Sequence, residues 1–128
     1  MSDIYLDRLK ALRDIGFPLA EAMRCQGRLN FDVYATKGED AEGCLLGWFA
    51  STDYAYDDGW RFAESPRSVS ECSVIWGGLS GWNAACEYFH IEDEQTDALF
   101  DGYYAGSLDD RLEVLNAIIA EKELGLTL

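Results

Sequence analysis

Residues 78–104 read GLSGWNAACEYFHIEDEQTDALFDGYY, and the way this stretch divides decides the fold. Its first half sets Trp82, Ala85, Cys86 and Phe89 at i, i+3, i+4 and i+7, a stripe on one side of a helix. After His90-Ile91 the second half opens with Glu92-Asp93-Glu94, and acids in a first turn favour the positive end of the helix dipole. The division predicts two short helices meeting at a tight corner. One supplies core, and the other a negative outer face.

Downstream, Ser107 with Asp110 makes a variant capping box, with Asp in place of the usual Glu or Gln. Leu108, Leu112, Leu115 and Ile119 then fall on one face of a final helix, with a change to coil expected near Leu124-Gly125. Upstream, residues 53–62 (DYAYDDGWRF) predict a hairpin, because Asp58-Gly59 supplies the positive φ values of a tight turn between aromatic arms. Ser65-Pro66 breaks its second arm. Cys72–Trp76 (CSVIW) is β-branched and aromatic enough to add a third strand. For the apolar run Cys44–Ala50, periodicity cannot separate buried strand from buried helix.

At the N-terminus, Tyr5, Leu9 and Leu12 mark a helix over Asp3–Asp14, capped by Ser2 or Asp3 and ended by Gly16. Pro18 suits the first position of a second helix, where a missing N–H costs little. Leu19, Ala22 and Met23 face inward, and Gly27 closes it. Phe31–Tyr34 predicts a single turn, and Thr36–Gly43 a polar loop.

The chain has 128 residues, 48% hydrophobic and 13% aromatic, enough to build a core without metals or disulfides. These features predict one α+β domain over residues 1–128, predominantly helical. Five to six short helices would accompany a β-hairpin or a three-stranded antiparallel sheet. No apolar run approaches the ~18 residues of a membrane span and no signal-peptide pattern opens the chain, so a soluble, intracellular protein is the expectation.

Chemistry finds little support. Cys25, Cys44, Cys72 and Cys86 are spaced 19, 28 and 14 apart, without the paired spacing of zinc ligands; Cys44, Cys72 and Cys86 sit among small or apolar residues, and buried free thiols are the expectation. His90 is the single histidine, has no evident partner in sequence and reads as structural or surface. No phosphate-binding, dinucleotide or zinc-hydrolase motif occurs. Asp53–Asp58 fails the spacing of a calcium loop. Accordingly no catalytic residue, metal or cofactor is assigned.

Charge is the informative feature. Net charge is −14, but residues 1–37 carry +1 and residues 38–128 carry −15. Such a field repels nucleic acid and anionic lipid and attracts basic surfaces, although acidity also serves solubility. On a helix Asp93, Glu94, Asp97 and Asp101 lie within one arc. Asp93, Asp97 and Asp101 would be separated by a rise of about 6 Å each, a row able to occupy a groove that tracks phosphates. Tyr54, Tyr56 and Trp60, among Asp53, Asp57 and Asp58, read either as interface anchors or as cross-strand packing.

Phe31-Asp32, Cys44 with Gly47-Trp48, Ala84-Ala85 with Phe89, and Leu99-Phe100 together resemble the pattern of a loosely defined group of small phage and bacterial proteins. The resemblance covers about residues 28–120. It implies a mostly helical fold, a helix for Cys44–Ala50, a phage or mobile-element origin and no catalytic activity.

Combined, these readings predict a non-enzymatic inhibitor of the anti-CRISPR or DNA-mimic kind. It would act in the cytoplasm of a host cell on a basic, nucleic-acid-binding defence protein, without touching nucleic acid or membrane itself. Its contacts would be Asp53, Tyr54, Tyr56, Asp57, Asp58, Trp60, Glu92, Asp93, Glu94, Asp97 and Asp101. An immunity protein or antitoxin against a basic toxin is the alternative, and a carboxylate-based hydrolase the alternative of another class. A DNA-binding regulator fits worst, because the second helix of the corner begins with three acids.

Overall fold

A computed structural model describes residues 3–30, 34–36, 41–65, 68–101 and 107–127. Its N-terminal part is one helical rod. Helix α1 (Ile4–Ala11), a π-helical turn (Leu12–Gly16) and α2 (Phe17–Cys25) follow one another without a break. Asp3 caps α1 as expected, its Oδ1 accepting from the backbone N–H of Tyr5 at 2.9 Å. The stop expected at Gly16 is absent, since Gly16 has helical angles (φ −68°, ψ −49°). Pro18 lacks the N–H that would bond the carbonyl of Asp14, and a widened turn ahead of it relieves the clash of its ring. Glycine at 16 instead serves close packing, for a β-carbon there would lie 3.0 Å from Leu12 Cδ1 and 3.2 Å from Phe49 Cδ1.

The apolar run is helical. Cys44 caps α3 (Leu45–Ala50), its sulfur accepting from the Gly47 N–H at 3.5 Å. Leu45, Leu46 and Phe49 are fully buried, each stabilising the fold by roughly 1.5–3 kcal/mol. Gly47 allows the backbone of Tyr34 to lie directly on this helix, since a β-carbon would fall on the Tyr34 carbonyl oxygen.

Residues 53–62 do not form the expected hairpin. Thr52 Oγ1 accepts from the Ala55 N–H at 3.2 Å, a cap that starts one helical turn, α4 (Asp53–Asp57), where an extended arm was predicted. Asp58-Gly59, with Gly59 at φ +107°, turns α4 into strand β2 instead. The hairpin lies further on. With β1 (Ala35–Thr36), β2 (Arg61–Ser65), β3 (Ser68–Trp76) and β4 (Leu79–Ser80), the chain builds a four-stranded antiparallel sheet. Strand β3 is central, paired with β2 in the register Phe62↔Val74, while β1 and β4 share its other edge. Cys72–Trp76 is thus a strand as predicted, within a longer one. Ser2, Phe31-Asp32, Pro66 and the end of residues 78–104 lie outside the described residues.

Helix α5 (Gly81–Phe89) and helix α6 (Asp93–Phe100) meet at the predicted corner. His90 makes the corner with a left-handed backbone (φ 52°, ψ 56°), and its exposed ring stacks on Tyr5 at 4.8 Å. The inward stripe of α5 is rotated from the expectation. Gly81, Ala84, Ala85, Tyr88 and Phe89 are buried, whereas Cys86 is half-buried and Trp82 remains 36% exposed. Tyr88 turns inward because its ring packs on Trp60 and Phe89, at 5.3 and 4.8 Å. Trp82 meets the edge of Tyr34 at the surface, ring centroids 6.2 Å apart.

Helix α7 (Leu108–Thr127) packs on α1, α2 and α6. Ser107 and Asp110 form the predicted reciprocal cap. Leu108, Leu115, Ile118 and Ile119 are buried and Leu112 half-buried. The helix continues through Gly125 to Thr127, past the expected coil, since one glycine costs only about 1 kcal/mol in a helix. The result is a mostly helical α+β fold in which α5 packs on the small sheet and links it to the other helices. Among the described residues no helix is long and apolar enough to cross a membrane.

Candidate interaction surface

The two acidic stretches singled out in the sequence, residues 53–60 and 92–101, have different fates. In the first, Asp53, Tyr56 and Asp57 are exposed, and Arg61 lies over the Tyr56 ring at 3.6 Å. Tyr54 is half-buried against Phe49, and burial pushes its phenol up, with Asp58 and Asp7 adding to the shift. Trp60 is fully buried in the core, between Phe49, Trp76 and Tyr88, and is therefore no surface anchor. Asp58 accepts a hydrogen bond from the Tyr88 hydroxyl at 2.5 Å and pairs with Arg8 at 3.5 Å. Asp58 belongs to the fold more than to the surface.

The second stretch stays outside. Glu92 caps α6, its N–H donating to Gln95 Oε1 at 2.9 Å. Glu92, Asp93 and Glu94 are exposed and Asp97 half-exposed. Asp93 accepts from the Cys86 thiol at 3.4 Å, and burial, followed by these carboxylates, holds that thiol above its ordinary pKa. Asp101 is the C-cap of α6: its N–H still bonds the Asp97 carbonyl at 2.9 Å, so it stands one turn beyond Asp97, half-buried, and its extended ψ (128°) turns only the chain that follows.

Two buried arginines went unnoticed in the sequence. Arg8 lies among Tyr5, Trp76 and Tyr88, 4.2 Å from the Tyr88 centroid, and donates to the Tyr88 carbonyl at 3.0 Å. Arg111 is 2% exposed and donates to the carbonyls of Leu99 and Asp101; burial lowers its pKa. A common signal marks both. Arg8 stands three residues after Tyr5 and four before Leu12, and Arg111 three after Leu108 and four before Leu115. Each completes an apolar stripe, so its stem packs while its head finds carbonyls.

Cations and acids are unevenly matched. The four described ion pairs are Arg8–Asp58, Lys10–Glu123, Arg13–Asp14 and Arg24–Glu21, and every cation in them comes from α1, the π turn or α2. Arg28, Arg61 and Lys122 bond backbone carbonyls. Among the described residues, no ion pair neutralises Asp53, Asp57, Glu92, Asp93, Glu94 or Asp97. No protein-family model, curated protein or solved structure matches this chain. Among the described residues, no group of three or more His, Cys, Asp or Glu side chains is gathered as a metal ion would require. Of the three thiols set among small or apolar residues, Cys44 and Cys72 are buried as expected and Cys86 is half-buried; Cys25 is exposed.

Proposed function

We propose that the protein is a non-enzymatic binder that attaches to a basic, nucleic-acid-binding protein and blocks it. The supporting observation is the segregation of charge. Cations of the N-terminal rod are matched by carboxylates, while among the described residues no ion pair joins a cation to the acids of α4 or of the first turns of α6. Unneutralised acids on rigid helices raise the rate of encounter with a basic surface and make binding fall with salt. Tyr56, 57% exposed between Asp53 and Asp57, is the aromatic best placed to anchor such a contact. Asp93, Asp97 and Asp101 follow one another a turn apart along α6, so mechanism rests on this row of charge and on anchoring. Trp60, buried in the core, drops out as a contact. A phage or mobile-element origin, an anti-CRISPR role and action in the host cytoplasm are the specific form of this proposal, and rest on the resemblance described above.

The test is capture from a bacterial lysate on immobilised protein with elution by a salt gradient. An oligonucleotide-binding assay of the retained protein follows. Support is a retained basic protein that leaves at moderate salt and loses its oligonucleotide as this protein is added. Retention that does not change between low and high salt, or oligonucleotide binding left intact, overturns the proposal.

A further inference from the structure

The sheet is only partly roofed on its core side. Residues directly opposite in an antiparallel pair share a face, so Phe62 joins Val74, and Ala35 joins Cys72, on the side that meets α3. Val74 is fully buried, yet Phe62 is 42% exposed. Between this end of the sheet and Gly47, Trp48 and Ser51 of the α3 region lies a partly open cavity of about 340 Å³.

Almost all of its wall is carbon, with aromatic surface from Tyr34, Trp48 and Phe62. Of its lining residues only Glu42 carries a charge, and the hydroxyls and the indole N–H have partners within the chain. Thr36 Oγ1 accepts from the Glu42 N–H at 2.7 Å, Ser51 Oγ donates to the Trp48 carbonyl at 2.6 Å, and Trp48 Nε1 donates to the Arg28 carbonyl at 3.1 Å. An anionic group would therefore lose water, find no free donor among these side chains and meet the Glu42 carboxylate. The net charge of −14 further disfavours an anion. Size narrows the class again. An apolar cavity of ~150 Å³ accepts benzene, and sites for small molecules begin at roughly 300 Å³.

We propose that this cavity binds an uncharged aromatic compound of one or two rings. The site is independent of the acidic surface, since no carboxylate of α4 or α6 lines it.

The experiment uses the full chain, with naphthalene and naphthalenesulfonate as probes that differ by one charged group, in equilibrium dialysis. Naphthalene should saturate at one molecule per chain, with the sulfonate weaker by roughly tenfold or more. Ser51→Trp, at the exposed mouth, should abolish naphthalene binding while leaving circular dichroism unchanged. In the unaltered protein, naphthalene should slow iodoacetamide labelling of Cys72, which lines the cavity, by a larger factor than that of Cys86, whose thiol lies against Asp93 and Thr96 of α6. That measurement decides the matter if Ser51→Trp does not fold. No saturable binding, equal binding of both probes, equal slowing at the two thiols, or full binding by a folded Ser51→Trp each overturns the proposal.

Discussion

Helix α4 and helix α6 are both short, acidic and flanked by aromatics, and on paper they serve the same purpose. In the molecule one is drawn into the fold and the other is kept out. The α4 segment ends in Asp58-Gly59-Trp60. Trp60 enters the core, which carries Asp58 to Arg8 and Tyr88. The α6 segment has its apolar residues, Leu99 and Phe100, at the far end, so its first turn stays in water. An acid's role is thus set by how near the chain's large apolar side chains pull it to a buried cation.

This contrast can be broken most strongly from the α4 side. Arg8→Ala removes a donor from the buried Tyr88 carbonyl together with a cation held among three rings, and should cost roughly 2–4 kcal/mol in urea unfolding. A loss below about 1 kcal/mol would place Arg8 with the surface charges. Asp58→Ala leaves the Tyr88 hydroxyl and Arg8 without their carboxylate and should cost about 1–2 kcal/mol. The double variant with Arg8→Ala should cost less than the two singles together, by at least about 0.5 kcal/mol, because they act on one network.

Alkaline pH sharpens the same side. Burial, followed by the Asp58 hydrogen bond, raises the Tyr88 phenol above its ordinary value, and burial raises Tyr34 to about 12. Both neutral phenols are favoured by folding, so their contribution is complete below about pH 10 and is lost as pH climbs above it. Unfolding midpoints should fall over that window, and phenolate absorbance should appear late for Tyr34, Tyr54 and Tyr88. Tyr34→Phe should flatten the fall.

The α6 side should respond least in stability and most in association. Asp93→Asn, Glu94→Gln and Asp97→Asn combined give up a favourable helix dipole but relieve mutual repulsion, so unfolding should move by no more than about 1 kcal/mol. The salt needed to elute the captured partner should drop. The same substitution at Asp93 should speed alkylation of Cys86 at mildly basic pH, since it removes an acceptor and a charge that hold the thiol protonated. A loss of stability like that of Arg8→Ala would erase the distinction between the two helices.

Local chemistry made much of the fold legible. The cap at Asp3, the reciprocal Ser107–Asp110 cap, the corner at His90 and the strand at Cys72–Trp76 each depend on residues close in sequence. The misses share a cause in distant contacts. Gly16 looked like a stop, yet its missing side chain makes room for Phe49. Residues 53–57 looked extended, but Thr52 caps a helical turn that delivers Trp60 to the core. Trp82 looked buried until Tyr88 took the inward place on α5. Of the predicted contacts, Asp53, Tyr56, Asp57, Asp58, Glu92, Asp93 and Glu94 remain exposed, although Asp58 also reaches Arg8 and Tyr88.

By itself the sequence determined the sign and uneven placement of charge, the helical character of the corner and the caps that begin the helices, all properties of composition and short spacing. Tertiary structure alone decided which acids meet a cation, which aromatics reach the surface and where the sheet is left open. Those outcomes depend on residues such as Arg8, Asp58 and Tyr88, far apart along the chain, being brought within hydrogen-bond distance by burial of the core between them.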